Sequence, residues 1–257
     1  MTEKIAAVYQ YRDLAGAVVH ETVRYEPKSF IQRRPNGKGG YIYSLSGIEP
    51  ILYRLPEITQ AIKEGTPIFI VEGEKDSDNL VKIGFEATTC PMGAGRWRES
   101  YTKSLTGALA LVCPDKDDTG WRHGIDIADD LYFHAEAVKV IRLPGPGKDV
   151  SDWIEAGGTA NQLMEIANDA PIYMPLDYRR EYEAWLKAMG PRQLLDELEW
   201  LKTAPIKHQP KLSLIEYQLE FCRQALAHQR RHEKYIRAVE ESGLTTVKGT
   251  LKKAVFS

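Results

Sequence analysis

Residues 68–80, IFIVEGEKDSDNL, and residues 111–120, LVCPDKDDTG, decide the fold. In each stretch a short, unbroken apolar run passes directly into a cluster of acidic residues. Apolar runs of this length without alternation predict strands that are buried on both faces, which is typical of a parallel sheet covered by helices. Strand and helix patterns alternate through this middle third of the chain, so we predict an α/β domain at 66–170.

The segments on either side of this domain have different patterns. Alternating residues around the turns at 13–16 and 35–37 predict two β-hairpins, followed by a short helix that ends at Gly65. Helical periodicity predicts helices at 178–189, 191–203 and 213–241. We therefore predict an N-terminal β-rich part at 1–65 and a basic helical region at 171–257.

The composition is that of an ordinary globular chain, with 257 residues of which 43% are hydrophobic and 27% charged. Fibrous and wholly disordered proteins are thereby excluded. No apolar run approaches the roughly 18–20 residues of a membrane helix, and the N-terminus lacks the layout of a signal peptide. We expect a cytoplasmic protein without membrane contact, whose cysteines Cys90, Cys113 and Cys222 are reduced and partly buried.

The net charge of −2 is unevenly distributed. Residues 1–177 carry a net charge of −7 and residues 178–257 a net charge of +5. An acidic body and a basic tail suit a protein whose body holds metal ions and whose tail meets nucleic acid or an acidic partner. A solvated helical surface would give the same asymmetry, so charge alone leaves both interpretations open.

Acidic residues follow both predicted strands. Glu72 comes directly after the first strand, and Asp115 and Asp117 come after the second. In a parallel sheet the carboxyl ends of the strands meet at one edge, where open α/β sheets bind ligands. Asp115 and Asp117 are two residues apart, so in an extended segment their side chains point the same way and that of Lys116 points elsewhere.

Crowded carboxylates repel one another unless a cation lies between them. Oxygen ligands without His or Cys favour Mg²⁺ or Mn²⁺ over zinc, and magnesium usually joins carboxylates to substrate phosphates. The pattern therefore indicates phosphoryl or nucleotidyl transfer, or phosphodiester cleavage. The alternative is that these acidic residues only cap helices, as Asp and Glu often do.

The two stretches together resemble the Toprim domain, the metal-binding α/β module of bacterial-type primases, topoisomerases and several nucleases. Glu72 and Gly73 match its first signature, and Asp115 and Asp117 match the later DxD. The resemblance covers roughly residues 66–157. EGEKD, GAGRW and GPGKDVSDWIEAG are more similar to phage and plasmid primases and primase-helicases than to topoisomerases.

The resemblance implies a fold and a set of site residues. The fold would be a Toprim-type parallel sheet flanked by helices. Glu72 would act as general base or acid, with Lys75 beside it as a second candidate catalytic residue. The metal would be held by Glu72, Asp115 and Asp117, and Asp149 is the favoured further ligand. Asp76 and Asp152 are candidates for a second ion or its surroundings, although Asp152 could instead be the N-cap of the helix that carries Trp153.

Several cationic residues are candidates for binding phosphates. Arg96, Arg98 and Lys148 lie in or beside loops at the same edge, where they could hold a triphosphate or a template backbone. Near the N-terminus, basic side chains alternate with aromatic ones, a combination that is typical of single-strand binding. The basic residues there are Arg33, Arg34 and Lys38, and the aromatic ones are Phe30, Tyr41 and Tyr43. A basic hairpin whose aromatic residues pack into the core is the alternative.

The C-terminal helix carries a second basic cluster. Its cations are Arg230, Arg231, Lys234 and Arg237, with His228 and His232 four residues apart. That histidine spacing can bind zinc, but no further ligand completes a site, so a solvated basic face is favoured. We interpret this region as a module for nucleic acid or a replication partner.

These features lead to one hypothesis and two alternatives. The hypothesis is a primase-like, Mg²⁺- or Mn²⁺-dependent nucleotidyltransferase that makes RNA primers on single-stranded DNA from NTPs for phage or plasmid replication. No GxxxxGK[ST] nucleotide loop is present, so a replicative helicase would be a separate partner. The alternatives are a metal-dependent Toprim nuclease and a non-catalytic accessory protein that binds nucleic acid. A topoisomerase is disfavoured.

Overall fold

The computed structural model describes residues 4–241, and these form two compact units. The first unit contains the chain up to Arg179 together with Pro205–Pro210. The second contains Arg180–Ala204 and the described chain from Lys211 to Glu241. The three-part division at 65/66 and 170/171 stays a prediction. None of the helices in the described residues is long and apolar enough to cross a membrane.

The N-terminal part is a four-stranded antiparallel sheet whose strands follow chain order. The strands are β1 (Lys4–Arg12), β2 (Val18–Glu26), β3 (Ser29–Pro35) and β4 (Tyr41–Ile42). Tyr11 lies on the buried face of β1, where its ring stacks on that of His20 with centroids 4.1 Å apart. On the opposite face Glu21 is also buried. The β-rich character predicted for this segment is therefore observed.

The centre of the first unit is a parallel four-stranded sheet. Its strands are β5 (Ile68–Ile70), β6 (Glu86–Thr88), β7 (Leu109–Val112) and β8 (Ala137–Val140), in the order β6-β5-β7-β8. Apolar side chains from alternate strand positions enter two separate cores, one on each face of the sheet. The prediction of an α/β fold with a parallel sheet flanked by helices is confirmed.

Six helices belong to this part of the chain. They are α1 (Leu55–Glu64), α2 (Glu74–Lys82), α3 (Glu99–Ser104), α4 (Asp118–Tyr132), α5 (Val150–Glu155) and α6 (Ala160–Asp169). Three of them, α2 to α4 in chain order, lie between strands of the sheet. Gly65 ends α1 in the left-handed conformation at φ 68°, as its position predicts. The N-termini of α2 and α4 also matter for function, because they lie next to the acidic residues.

Two of these helices begin earlier than the sequence predicts. The stretches at 72–76 and 114–120 are predicted to be polar turns, yet α2 begins at Glu74 and α4 at Asp118. Acidic residues are favourable in the first turn of a helix because of the positive end of its dipole. The helices therefore start within the acidic clusters.

The last helices are α7 (Leu176–Ala188), α8 (Pro191–Leu201) and α9 (Gln209–Glu241), with a 3-10 turn at Ile206–His208. In the second unit Leu186, Leu194 and Ile215 are buried, and the ammonium of Lys211 lies 4.8 Å from the centre of the Tyr182 ring. The predicted basic cluster lies on α9, but its side chains other than Arg230 are outside the described part, as are those of His228 and His232.

Candidate functional site

Backbone pairing brings the two acidic signatures to one edge of the parallel sheet. Ile70 of β5 pairs with Val112 of β7, and the amide of Cys113 donates a hydrogen bond of 2.9 Å to the carbonyl oxygen of Ile70. Glu72 follows β5 by two residues, and Asp115 follows β7 by three. Both carboxylates therefore leave the sheet at its carboxyl end.

The two carboxylates lie beside the first turn of α4, where a glycine makes room for them. A Cβ atom added to Gly120 would lie 2.2 Å from Oε1 of Glu72 and 2.6 Å from Cβ of Asp115. No ordinary side chain fits at these distances. Gly120 therefore allows the helix to approach both acidic residues.

Glu72 is partly buried, and one of its oxygens has no partner. Its Oε1 is inaccessible to solvent and accepts no hydrogen bond from any described residue. Burial, together with the negative charges of Asp115 and Asp117, raises the pKa of Glu72 to about 7 against the opposing effect of Lys148. A buried oxygen without a partner is unfavourable unless a ligand satisfies it.

Lys148 holds the two aspartates of the second signature. Its Nζ lies 3.2 Å from Oδ2 of Asp115 and 3.1 Å from Oδ2 of Asp117. Asp115 is buried, and burial raises its pKa although Lys148 opposes the shift. The pKa of Asp117 is lowered by its hydrogen bond from the Gly120 amide and by Lys148. The shared partner shows that both side chains point the same way, as their spacing predicts.

Two of the predicted metal ligands also cap helices. Oδ1 of Asp117 accepts a hydrogen bond of 2.8 Å from the Gly120 amide at the start of α4. Oδ1 of Asp149 accepts one of 2.8 Å from the Asp152 amide at the start of α5. The cap of α5 is therefore Asp149 and not Asp152, which corrects the alternative interpretation of Asp152. Oδ2 of Asp152 instead accepts a hydrogen bond of 2.7 Å from the Lys148 amide.

Asp76 is buried behind the edge and belongs to a polar network between α2 and α5. The hydroxyl of Ser151 donates a short hydrogen bond to Oδ1 of Asp76, and Nδ2 of Asn79 donates to Ser151 Oγ at 2.9 Å. Burial raises the pKa of Asp76 to about 6, against the effect of the Ser151 hydrogen bond. The network ties α2, which follows Glu72, to α5, which follows Lys148.

The candidate cations near the edge differ in their surroundings. Lys75 lies on α2, and its Nζ is 3.1 Å from Oε1 of Glu155 on the exposed surface. The structure gives no contact between Lys75 and Glu72. Arg96 and Arg98 are exposed in the loop that precedes α3. Their roles stay predictions.

The basic residues of the N-terminal sheet also differ from one another. Nε of Arg33 lies 2.7 Å from Oε2 of the buried Glu21, and its guanidinium lies 3.6 Å from the centre of the Tyr41 ring. Arg34 donates hydrogen bonds to the carbonyl oxygens of Ser44 and Ser46. Lys38 is exposed in the turn that follows β3. Arg33 is therefore held by contacts with Glu21 and Tyr41, whereas Lys38 is exposed to solvent.

The aromatic residues of this segment are partly exposed to solvent. Phe30, Tyr41 and Tyr43 are 39%, 42% and 62% exposed. The alternative of a hairpin whose aromatic side chains pack into the core is therefore not what the structure contains. The Arg33 guanidinium covers one face of the Tyr41 ring, and the exposed surface of the other rings can stack on bases.

Three supporting residues were missed by reasoning from sequence. The hydroxyl of Tyr11 donates a hydrogen bond of 2.8 Å to the buried Glu74, which joins the N-terminal sheet to the start of α2. Ser151 bonds Asp76, and Gly120 makes room for Glu72. Of the three, only Gly120 could have been found from the sequence, because it lies within the second acidic stretch, three residues after Asp117. Long-range hydrogen bonds such as that of Tyr11 leave no local pattern.

The donor set suits a hard cation. Within residues 4–241 no group of three acidic, imidazole or thiol side chains stands close enough to enclose an ion. Instead, the Lys148 ammonium provides the positive charge between Asp115 and Asp117. The oxygen-only chemistry and the unpartnered Oε1 of Glu72 fit Mg²⁺ or Mn²⁺, which prefer carboxylate and water ligands.

Comparison with solved structures identifies the fold. The chain superimposes on the zinc-binding and RNA polymerase domains of Aquifex aeolicus primase with a TM-score of 0.54 and 18% identity, over 83% of this chain and 50% of that one. It matches the catalytic core of E. coli primase with a TM-score of 0.51 and 18% identity, over 82% and 69% of the two chains.

A DnaG primase catalytic domain bound to single-stranded DNA gives a TM-score of 0.52 at 19% identity, over 83% of this chain and 68% of that one. The chain spans half the length of the Aquifex structure. No protein-family model matches the sequence, and a search of curated proteins finds no significant match. The fold is thus that of primase catalytic cores.

Proposed function

We propose that the chain is a primase-like nucleotidyltransferase that makes short RNA primers on single-stranded DNA from NTPs. The observation that carries this proposal is the placement of Glu72, with its unpartnered buried oxygen, beside Asp115 on a primase-type fold. The similar structures include one described with an RNA polymerase domain and one bound to single-stranded DNA. A phage or plasmid replication system with a separate helicase would be its setting.

In this reaction the 3′-hydroxyl of one nucleotide attacks the α-phosphorus of the incoming NTP. A new oxygen–phosphorus bond forms, the bond to the β-phosphate oxygen breaks, and pyrophosphate leaves. The proton of the hydroxyl must be removed. Glu72 would accept it, because a carboxylate with a pKa of about 7 is well matched to proton transfer at neutral pH.

Asp115, Asp117 and Asp149 would hold the divalent cation, with Glu72 beside them. A bound Mg²⁺ would neutralise phosphate charge and favour ionisation of the attacking hydroxyl. Lys148 now neutralises the two aspartates, and its flexible, exposed ammonium could turn toward the triphosphate instead. The exposed Arg96, Arg98 and Lys38 would contact phosphates of the triphosphate or the template.

Primer synthesis can be tested directly. The protein is incubated with Mg²⁺ or Mn²⁺, single-stranded DNA and labelled NTPs, and the products are separated on a gel. We expect short RNA products that disappear in Glu72→Gln and Asp115→Asn. Asp126→Asn is a matched control, because Asp126 is exposed on α4 and forms no ion pair with Lys148 in the described structure.

Each other outcome contradicts the proposal in a recognisable way. Shortening of the DNA, lost in the same two variants, would assign the site to a nuclease with water as the nucleophile. Binding of single-stranded DNA without synthesis or cleavage would assign an accessory role. Primer synthesis that survives both substitutions would show that the active residues lie elsewhere.

A further inference from the structure

A cavity of about 370 Å³ lies at the carboxyl end of β7 and β8, beside the acidic residues. Pro114, Ile141 and Leu143 contribute its apolar lining. Lys116, Trp121 and Arg142 contribute its polar and aromatic lining. The function proposed above uses none of these last three side chains.

An arginine and a tryptophan form a stacked pair in this cavity. The guanidinium of Arg142 lies 4.2 Å from the centre of the Trp121 ring. Arg142 is exposed, and among the described residues its guanidinium has no carboxylate within salt-bridge distance. When a guanidinium lies over an indole, planar surface of the pair stays free for a further planar group. Nucleobases stack both on aromatic rings and on guanidinium groups.

The second cation of the cavity is positioned by backbone carbonyl oxygens. Nζ of Lys116 donates a hydrogen bond of 2.7 Å to the carbonyl oxygen of Gly145 and lies 3.4 Å from that of Pro144. These neutral carbonyls position the ammonium without neutralising it. The positive charges of Lys116 and Arg142 exceed the single negative charge of Asp118, which also lines the cavity.

The position of Lys116 relates the cavity to the acidic residues. Lys116 lies between Asp115 and Asp117 in the chain, and both aspartates turn toward Lys148 whereas Lys116 turns toward Gly145. One short segment therefore presents carboxylates on one side and a cation on the other. The phosphates of a nucleic acid bound at the acidic site would therefore be attracted to Lys116, on the side opposite to the two carboxylates.

We propose that this cavity is a nucleotide subsite. A nucleobase stacks on the Trp121–Arg142 pair, and its phosphate lies near Lys116. The proposal rests on the function proposed above and extends it, because it names where a nucleotide next to the reacting one is held. The nucleotide could be part of the single strand or a free NTP, and both present the same base and phosphate.

Photocrosslinking tests this subsite. An oligo(dT) strand that contains 5-iododeoxyuridine is irradiated with the protein, and mass spectrometry identifies the attached residue. A parallel sample contains 5-iodouridine triphosphate without oligonucleotide. We expect attachment to Trp121 in at least one sample. Attachment from the strand assigns the subsite to template or primer, and attachment from the triphosphate assigns it to a free nucleotide.

Affinity for the same ligand supplies the second measurement. We expect Arg142→Ala to weaken binding at least about 5-fold, since stacking of a base is worth roughly 1–3 kcal/mol. Arg122→Ala is the matched control, because Arg122 is exposed on α4, next to Trp121 in the chain, but does not line the cavity. It should change affinity less than about 2-fold, because a charge without phosphate contact is screened by salt.

The proposal is overturned if no crosslink reaches Trp121, or if Arg142→Ala and Arg122→Ala weaken binding equally. The Asp115→Asn variant separates this result from the function proposed above. It should lose primer synthesis and keep the Trp121 crosslink. A protein that crosslinks at Trp121 but makes no primers would contradict primer synthesis alone, and one that makes primers without this crosslink would contradict the subsite alone.

Discussion

The Nζ atom of Lys148 lies 3.2 Å from Oδ2 of Asp115, so a lysine neutralises the acidic residue at the end of the central strand β7. The same ammonium lies 3.1 Å from Asp117. A divalent cation bound to these oxygens would compete with it. Lys148 therefore supplies, next to these aspartates, part of the positive charge that a bound divalent cation would supply in the proposed reaction.

Removal of this lysine should strengthen metal binding. In Lys148→Gln the two aspartates lose their cationic partner, and we expect Mn²⁺ to bind about 3- to 10-fold more tightly at low ionic strength. Titration calorimetry with Mn²⁺ measures the effect. Lys103→Gln, which removes an exposed lysine paired only with Glu99 on α3, should leave the affinity unchanged. Weaker Mn²⁺ binding in Lys148→Gln would contradict the competition.

The ionisation of Glu72 should make the stability of the metal-free protein depend on pH. The folded-state pKa of about 7 lies above the ordinary value of 4.5, so the folded chain keeps a proton that the unfolded chain loses in this interval. Stability therefore falls as the pH rises from about 4.5 to 7, and the full penalty remains above pH 7.

Glu72→Gln removes that penalty. We expect it to raise the free energy of unfolding by about 1–2 kcal/mol at pH 8, an amount reduced for partial exposure to water, and to change it little at pH 5. Denaturant unfolding in EDTA at the two pH values gives the comparison. An equal change at both values would show that ionisation of Glu72 is not the cause.

Gly120 should not tolerate a side chain. Alanine would place its Cβ 2.2 Å from Oε1 of Glu72 and 2.9 Å from the carbonyl oxygen of Asp115. We expect Gly120→Ala to destabilise the fold by about 1–3 kcal/mol and to abolish primer synthesis. In Gly190→Ala the nearest atom to the new Cβ is Oε1 of Gln193 at 3.7 Å, so synthesis should persist there. Normal activity in Gly120→Ala would mean that the close approach is not required.

Arg33 and Lys38 should differ in what their loss affects. Arg33→Ala leaves the carboxylate of Glu21, whose side chain is only 2% exposed, without its cation, and we expect a loss of about 3–5 kcal/mol in unfolding free energy. Lys38→Ala should leave stability within about 0.5 kcal/mol and weaken binding of single-stranded DNA. Thermal unfolding and fluorescence anisotropy separate the two. The double variant Arg33→Ala, Glu21→Gln should recover part of the stability, which an effect on DNA binding alone would not produce.

The central fold could be predicted because its signals are local. Unbroken apolar runs predicted β5 and β7, and the acidic residues after them predicted which edge carries the site. The start of α2 could not be placed, because Glu74 and Asp76 are polar residues buried through distant partners. Tyr11 bonds the first and Ser151 the second, and neither partner is near in sequence.

The candidate site was predictable in position but not in detail. The spacing of Asp115 and Asp117 predicted that both point one way, and Lys148 contacts both. Two details were not predictable: Asp149 caps α5, and Lys148 neutralises the aspartates. Both depend on how the segment at 143–150 packs against the loop after β7. Such packing is set by tertiary contacts, for which a single sequence has no periodic signal.

The pairing of Ile70 with Val112 means that the length of the intervening chain does not determine the distance between Glu72 and Asp115. The hydrogen bonds between β5 and β7 fix both ends of the chain segment that connects them. The turn around Gly107, which connects α3 to β7, can therefore accept inserted residues, provided that β7 keeps its register. A reporter domain or a new nucleic-acid-binding module could be placed there while the acidic residues stay in position.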